Sequence, residues 1–307
     1  ASVDLAFAFG LVVHNNLAAS IAKRGTPGQV ERYLAGMQKG TILGSFCLTE
    51  PGAGTDVAGI QTSAKRHGNG WRLNGAKAWI TNAHAADLLC VYAQTDPSAG
   101  GNGIAAFLVE RTHPGIIAEP QYKMVGCHSM GTGGFKIVDC DVDDSALFLP
   151  PGEGFKGAMA GIDAARVHVS GMCCGMLTTG LNTALKYAKE RRAFGRSTLD
   201  FQGLQWMLAD VATDLHTSRL LTYDAAAKLE AGRATLAAAH TKKFVTRVTL
   251  SGLSQCMQAM GAAGLSAEGP LARHFAAAKV AQYLDGTTEV QNIVISRVLS
   301  GGRYIPA

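Results

Sequence analysis

Charge of either sign is scarce in this sequence. Lys and Arg (28) with Asp and Glu (23) make only 17% of the 307 residues, and they nearly cancel, leaving +5 at pH 7. So small and scattered an excess marks no nucleic-acid-binding surface, although it suits an anionic ligand. Paired cysteines are lacking as well: the seven present show no CxxC repeat, and no HExxH occurs. That excludes a disulfide scaffold, a structural zinc site and a zincin; no metal is expected. Unpaired cysteines fit a reducing compartment, the cytoplasm or alternatively the mitochondrial matrix.

Long uninterrupted apolar runs are missing too. The stretch 167–185 has no formal charge but contains His168, Ser170, Thr178, Thr179, Asn182, Thr183 and three glycines. It reads as a buried helix rather than a membrane span. The run 5–13 lacks a basic leader and meets His14, Asn15 and Asn16 at once, so it is not read as a signal peptide. No membrane partner is expected. An initiator Met is also absent: the chain starts at Ala1, inside an apolar segment.

What is present is an apolar fraction of 47%, enough for a sizeable core, in three zones of different period. Residues 1–38 read as helical, with a capping box at Thr26-Pro27-Gly28-Gln29 and a stop at Gly40. Residues 39–152 hold short β-type runs (41–48, 71–80, 88–93, 104–109, 135–138) between Gly, Asn, Asp and Pro clusters, closing at Pro150-Pro151-Gly152. They predict an antiparallel barrel or sandwich. Residues 153–307 return to helical spacing, with helices over 154–192, 202–232, 234–260, 271–283 and 288–299, and predict a bundle of four-helix type. The class is α+β.

The first segment with chemistry is Cys47-Leu48-Thr49-Glu50-Pro51-Gly52-Ala53-Gly54-Thr55-Asp56, which follows a strand. Its glycines let backbone approach a ligand, and its N–H groups and two Thr hydroxyls can donate to phosphate or to a flavin carbonyl. It is neither a Walker loop nor GxGxxG. Residues 47–59 match the first signature of the acyl-CoA dehydrogenase family. The chain resembles that family again at Lys77-Ala78-Trp79-Ile80-Thr81-Asn82 and at Glu190-Arg191-Arg192-Ala193-Phe194-Gly195 followed by Gln202. A fourth match runs from Gln258 through Gly261 and Gly264 to Asp285-Gly286-Thr287.

The resemblance implies FAD as cofactor. The backbone at Leu48 and Thr49 and the Thr49 hydroxyl would hold its pyrimidine end, and Thr55 its pyrophosphate. Trp79 would cover one ring face, and Thr81 would hydrogen-bond at N5; Phe46, Gly54, Gln202 and Thr287 are further residues implied to bind the cofactor. Arg191 with Phe194, and Gln258 with Gly261, would meet the FAD of a neighbouring subunit, so a homo-oligomer (dimer or tetramer) is implied. Alone, Trp79 is equally a strand aromatic, and Arg191 with Arg192 a cation pair favoured at a helix C-terminus. Ala262 stands where the family usually has a second Gly, so the cofactor fit is expected to shift slightly there.

Asp163 and Arg166 lie three apart on one helix and share a face; the family sets such a pair at the active-site mouth, where with Gly286 it would bind the acyl-CoA substrate. Asp285 occupies the position of the family's catalytic base, usually Glu, and Ala165 offers no substitute on the long helix. Asp is shorter by a methylene, about 1.5 Å of reach, which leaves room for an α-branched or alicyclic acyl group. Thr288-Glu289-Val290-Gln291 reads as a capping box opening the last helix. The implied reaction is α,β-dehydrogenation of an acyl-CoA to the trans-2-enoyl thioester, with electron transfer flavoprotein as acceptor. A flavin oxidase of the nitroalkane oxidase kind, or a non-catalytic flavin-binding subunit, are the alternatives.

The remaining residues read as ordinary. The nine histidines are dispersed; Asp139, Asp141, Asp143 and Asp144 lack the glycine and terminal Glu of a calcium loop; Cys173-Cys174 suits packing. Against the family, 1–38 matches only the last helices of an N-terminal helical domain, so exposed apolar surface is expected on what they would cover.

Overall fold

A computed structural model describes residues 1–302. The chain divides into two compact units, one of residues 10–124 and 128–161, the other of 1–9, 125–127 and 162–302.

The first unit holds an eight-stranded sheet. Its strands are β1 (Gly44–Cys47), β2 (Ser63–His67), β3 (Gly70–Ile80), β4 (Leu88–Gln94), β5 (Ile104–Glu110), β6 (Ile116–Ala118), β7 (Gly133–Asp143) and β8 (Leu147–Leu149). Pairing runs β6-β7-β3-β2-β4-β5-β8, with β1 on the other part of β4. Every residue of β4 is buried, as its unbroken apolar run requires of a strand covered on both faces. Trp71, Leu73, Leu89, Val91, Phe107 and Phe135 form the core around it, Trp71 meeting Phe107 edge-on at 5.4 Å.

The expected antiparallel barrel is corrected in one respect: the sheet is mixed. β1 and β2 both run parallel to β4. Alternation within a strand reports its buried face, not its partner's direction. A parallel pair needs a long crossover, which the β2–β3 hairpin supplies between β1 and β4. The strands β2, β6 and β8 were not anticipated, being three to five residues long.

Helix α1 (Leu5–Arg24) contributes its later turns to this unit. By length and composition it could cross a bilayer. In the fold, Leu17 and Ile21 are buried, and His14 ties three segments together: Nε2 lies 3.1 Å from the Met37 carbonyl, and Nδ1 accepts from Gly44 N–H. The capping box at Thr26 and Gln29 forms, opening α2 (Pro27–Gln29); a π-turn at Val30–Leu34 leads into α3 (Ala35–Lys39), which ends at left-handed Gly40.

The second unit is helical: α4 (Gly154–Glu190, shared with the first unit), a two-residue-per-strand hairpin of β9 (Arg192–Ala193) and β10 (Arg196–Ser197), α5 (Gln202–Glu230), α6 (Thr235–Met260), α7 (Pro270–Ala281) and α8 (Thr288–Leu299). Helix α6 is central and packs against α5, α7 and α8. Its buried positions, Ala238, Ala239, Thr241, Lys242, Val245, Thr246, Val248, Thr249, Gly252, Leu253 and Cys256, form one broad face rather than a narrow stripe. Against α4 the contact is notched both ways. A Cβ on Gly180 would sit 2.5 Å from Leu253 Cδ2, and one on Gly252 would sit 2.8 Å from Leu177 Cδ1.

Candidate active site

In the sheet unit, the glycine-rich segment is anchored from beneath by a buried ion pair. Lys77, on β3 and fully buried, donates to the Leu48 carbonyl (3.0 Å) and to Glu50 Oε1 (2.8 Å). The Glu50 carboxylate also accepts from the N–H groups of Gln61 (2.6 Å) and Thr62 (2.9 Å). Burial alone would raise the Glu50 carboxyl, but Lys77 and these donors hold it below its ordinary value. Burial pulls the Lys77 ammonium down despite Glu50. A further bond runs from Ala78 N–H to the Thr49 carbonyl, and Glu50 and Ala53 close the turn with reciprocal backbone bonds.

Above this anchor the segment is open. Gly52, Gly54, Thr55 and Asp56 are exposed, and a Cβ on either glycine would meet nothing within 4 Å. The Leu48 and Thr49 carbonyls are engaged internally, so the segment presents donors: N–H groups and the hydroxyls of Thr49 and Thr55. Phe46 packs on Tyr92 at 4.9 Å. The β3–β7 register shifts between Lys77 and Ile80, and within that irregularity Trp79 takes a left-handed backbone (φ 58°). Such a conformation in a bulky residue costs on the order of 1–3 kcal/mol. It leaves the indole 62% exposed, steadied edge-on by Tyr122 at 4.8 Å. Thr81 is buried, its carbonyl accepting from the Ser45 hydroxyl at 2.6 Å.

In the helical unit, Asp285, Gly286 and Thr287 join α7 to α8, and the structure brings Asp163 and Arg166 to them. Arg166 Nη1 donates to Asp163 Oδ1 (2.9 Å) and its Nε to the Asp285 carbonyl (3.0 Å). The Thr235 hydroxyl donates to the other Asp163 oxygen. Asp285 Oδ2 is buried and has no hydrogen-bond partner among the described residues. Burial pushes the Asp285 carboxyl up to about 6, while Lys242 and Arg166 pull it down. Desolvation by the protein itself is the largest of these influences.

Two residues here were missed. Lys242 on α6, only 1% exposed, donates to the carbonyls of Gln282 (3.2 Å) and Gly286 (2.7 Å). The signal was a lysine inside the buried face of α6. Gln291 was assigned to a capping box at Thr288, which the structure corrects. Thr287 is the N-cap, with no side-chain cap bond, and the Gln291 amide instead donates back to the Gly286 and Thr287 carbonyls. A left-handed turn at Asp285 and Gly286 exposes those carbonyls to it.

The remaining predicted residues lie on exposed parts of the helical unit. Arg191 follows α4, and Phe194 is 95% exposed at the hairpin tip with φ 52°, edge-on to Phe201 at 6.2 Å. Gln202 opens α5; Gln258 is in the last turn of α6, which Gly261 ends with φ 58°. Ala262 falls in the 3-10 turn Gly261–Leu265 without a positive φ, so its backbone is one that Ala adopts freely. The acids at 139–144 face arginines: Asp141 takes two bonds from Arg72 at 2.7 Å each, and Asp144 pairs with Arg66.

Residues 45–140 match the family model for the acyl-CoA dehydrogenase middle domain, and 152–300 that for its C-terminal domain. A short-chain-specific acyl-CoA dehydrogenase of Megasphaera elsdenii is 37% identical over 302 residues, covering 97% of this chain and 79% of that protein. The solved butyryl-CoA dehydrogenase of Megasphaera elsdenii superposes with a TM-score of 0.94 at 36% identity, again over 97% and 79%. A chain from the structure described as the electron transferring flavoprotein of Acidaminococcus fermentans gives 0.94 at 39% identity, with the same coverage. The chain belongs to the acyl-CoA dehydrogenase family. It is accordingly an oxidoreductase of the flavoprotein class that dehydrogenates acyl-CoA thioesters.

Proposed function

We propose that this chain converts an acyl-CoA to its trans-2-enoyl thioester, with Asp285 as the base that removes the α-proton. The observation that carries this is the Asp285 carboxyl: one buried oxygen with no partner among the described residues, a value of about 6, and two cations facing it. At neutral pH such a group is ionised and desolvated, which makes it an acceptor matched to its task. The Asp285 N–H would donate to the thioester oxygen, which would stabilise enolate-like charge.

The residues of the sheet unit fit FAD. Open glycines at 52 and 54, donors at Thr49 and Thr55, and the exposed Trp79 indole match a flavin's carbonyls, phosphates and flat ring. When bound, FAD supplies an acceptor for the hydride leaving the β-carbon. Thr49, Thr55 and Thr81 would orient it by hydrogen bonds, and Trp79 would exclude water from one face. Arg191 with Phe194, and Gln258 with Gly261, are exposed in a way that suits a cofactor held by a second copy, hence a dimer or tetramer. Electron transfer flavoprotein is the proposed acceptor. The relatives' short-chain specificity and the short Asp285 together favour short acyl groups, α-branched ones included.

Anaerobic addition of butyryl-, isobutyryl-, cyclohexanecarbonyl- and octanoyl-CoA to the FAD-loaded protein tests this reading through loss of flavin colour. Rapid bleaching by the first two is expected. No bleaching by any thioester, with oxygen consumed on a nitroalkane, would overturn it.

A further inference from the structure

The α7–α8 connection contains two successive left-handed residues, Asp285 (φ 53°) and Gly286 (φ 96°). L-residues avoid this region because Cβ crowds the following carbonyl, so something must hold Asp285 there. Three buried side chains from three helices grip the carbonyls around it: Arg166 that of Asp285, Lys242 those of Gln282 and Gly286, and Gln291 those of Gly286 and Thr287. Arg166 is already paired with Asp163 at 2.9 Å. Lys242 spends both of its hydrogen bonds on main-chain carbonyls, an expensive way to bury an ammonium.

We propose that Lys242 is a positioning residue for Asp285: it fixes the carbonyls on either side of it and supplies the positive charge against which its carboxylate ionises. This rests on the reading of Asp285 as the base. The groups facing Lys242 are Asp285 on the connection, Cys173 and Arg166 on α4, and Glu289 on α8. Those facing Asp285 are Lys242 and Arg166. Burial brings Lys242 down to about 8 although Asp285 pulls it up, so each group's proton depends on the other's.

The test is titration of the FAD-loaded protein, carbon-13 labelled at Asp Cγ and Lys Cε, by NMR without substrate. Asp285 is identified as the signal lost in Asp285→Asn, and Lys242 as the signal lost in Lys242→Arg. In Lys242→Met the Asp285 midpoint should rise by about one pH unit or more, while Lys242→Arg keeps it near the wild-type value. In Asp285→Asn the Lys242 midpoint should fall, because coupling between two sites is reciprocal. That arm needs no change at Lys242, so it decides the matter if Lys242→Met does not fold. An unmoved midpoint in either arm overturns the proposal. Flavin reduction by butyryl-CoA should follow: in Lys242→Met the rate profile moves to higher pH, with KM little changed. A wild-type profile in that variant overturns it too. If the wild-type protein is not bleached at all, the base assignment fails, while the titrations still decide whether Lys242 governs Asp285.

Discussion

Lys77 and Glu50 form an ion pair at 2.8 Å, with the lysine fully buried and the glutamate side chain 6% exposed. It joins the strand that carries Trp79 to the glycine-rich segment that carries Thr49 and Thr55. Breaking such a pair leaves one uncompensated charge in a dry interior. Lys77→Met should therefore lower stability by about 3–5 kcal/mol, and Lys77→Met with Glu50→Leu should recover part of it. Urea denaturation of the two variants checks this. Recovery should not extend to FAD affinity, since the loop loses its tether in both.

Stability should also depend on pH through Asp285. Its carboxyl binds a proton more tightly folded, at about 6, than at the ordinary 3.8. The folded state is therefore favoured while the proton is on. Stability drops as pH rises from about 4 to about 6 and stays lower above. Asp285→Asn should be more stable than wild type by about 1–3 kcal/mol at pH 7–8, with the difference vanishing below pH 4. Denaturation midpoints across that range measure it. The same variant should keep FAD and lose substrate-driven flavin reduction.

How much of this was legible in advance divides by length scale. The five long helices and the longer strands declared themselves by period, and the two Gly-rich and Asp-Gly-Thr motifs by composition. The short strands β6 and β8 did not, because three residues carry no periodicity. The parallel pairing of β1 on β4 did not, since strand direction is a property of the crossover. Lys77 and Lys242 were read past for one reason: a lysine in sequence looks like surface, and only packing shows that its charge has been buried against chosen acceptors.

Trp79 gives a cleaner separation of folding from binding. Its indole is exposed and its backbone left-handed, so Trp79→Gly removes strain while removing little packing. Stability should be unchanged or higher by about 1 kcal/mol, while FAD affinity falls at least tenfold. Thermal unfolding of the apoprotein and flavin titration read the two effects separately.

Gly286 combines φ 96° with close neighbours: a Cβ there would lie 3.1 Å from Gln291 Nε2 and from Val290 Cγ1. Gly286→Ala should cost about 1–2 kcal/mol from the backbone and disturb the Gln291 bonds. A fall in flavin-reduction rate with FAD content intact is the expected result.

The paired notches between α4 and α6 reach further than their own packing. The pairs Leu177 with Gly252 and Gly180 with Leu253 set the axial phase of two helices running in the same sense. Several turns upstream, those same helices deliver Arg166 and Lys242 to the Asp285 connection. A slip of one residue along a helix is about 1.5 Å, enough to unseat both hydrogen bonds. The glycines thus act as a gauge block for the proposed base and its two cations, none of which they touch. Changes at Gly180 or Gly252 would surface as altered chemistry as well as lost stability.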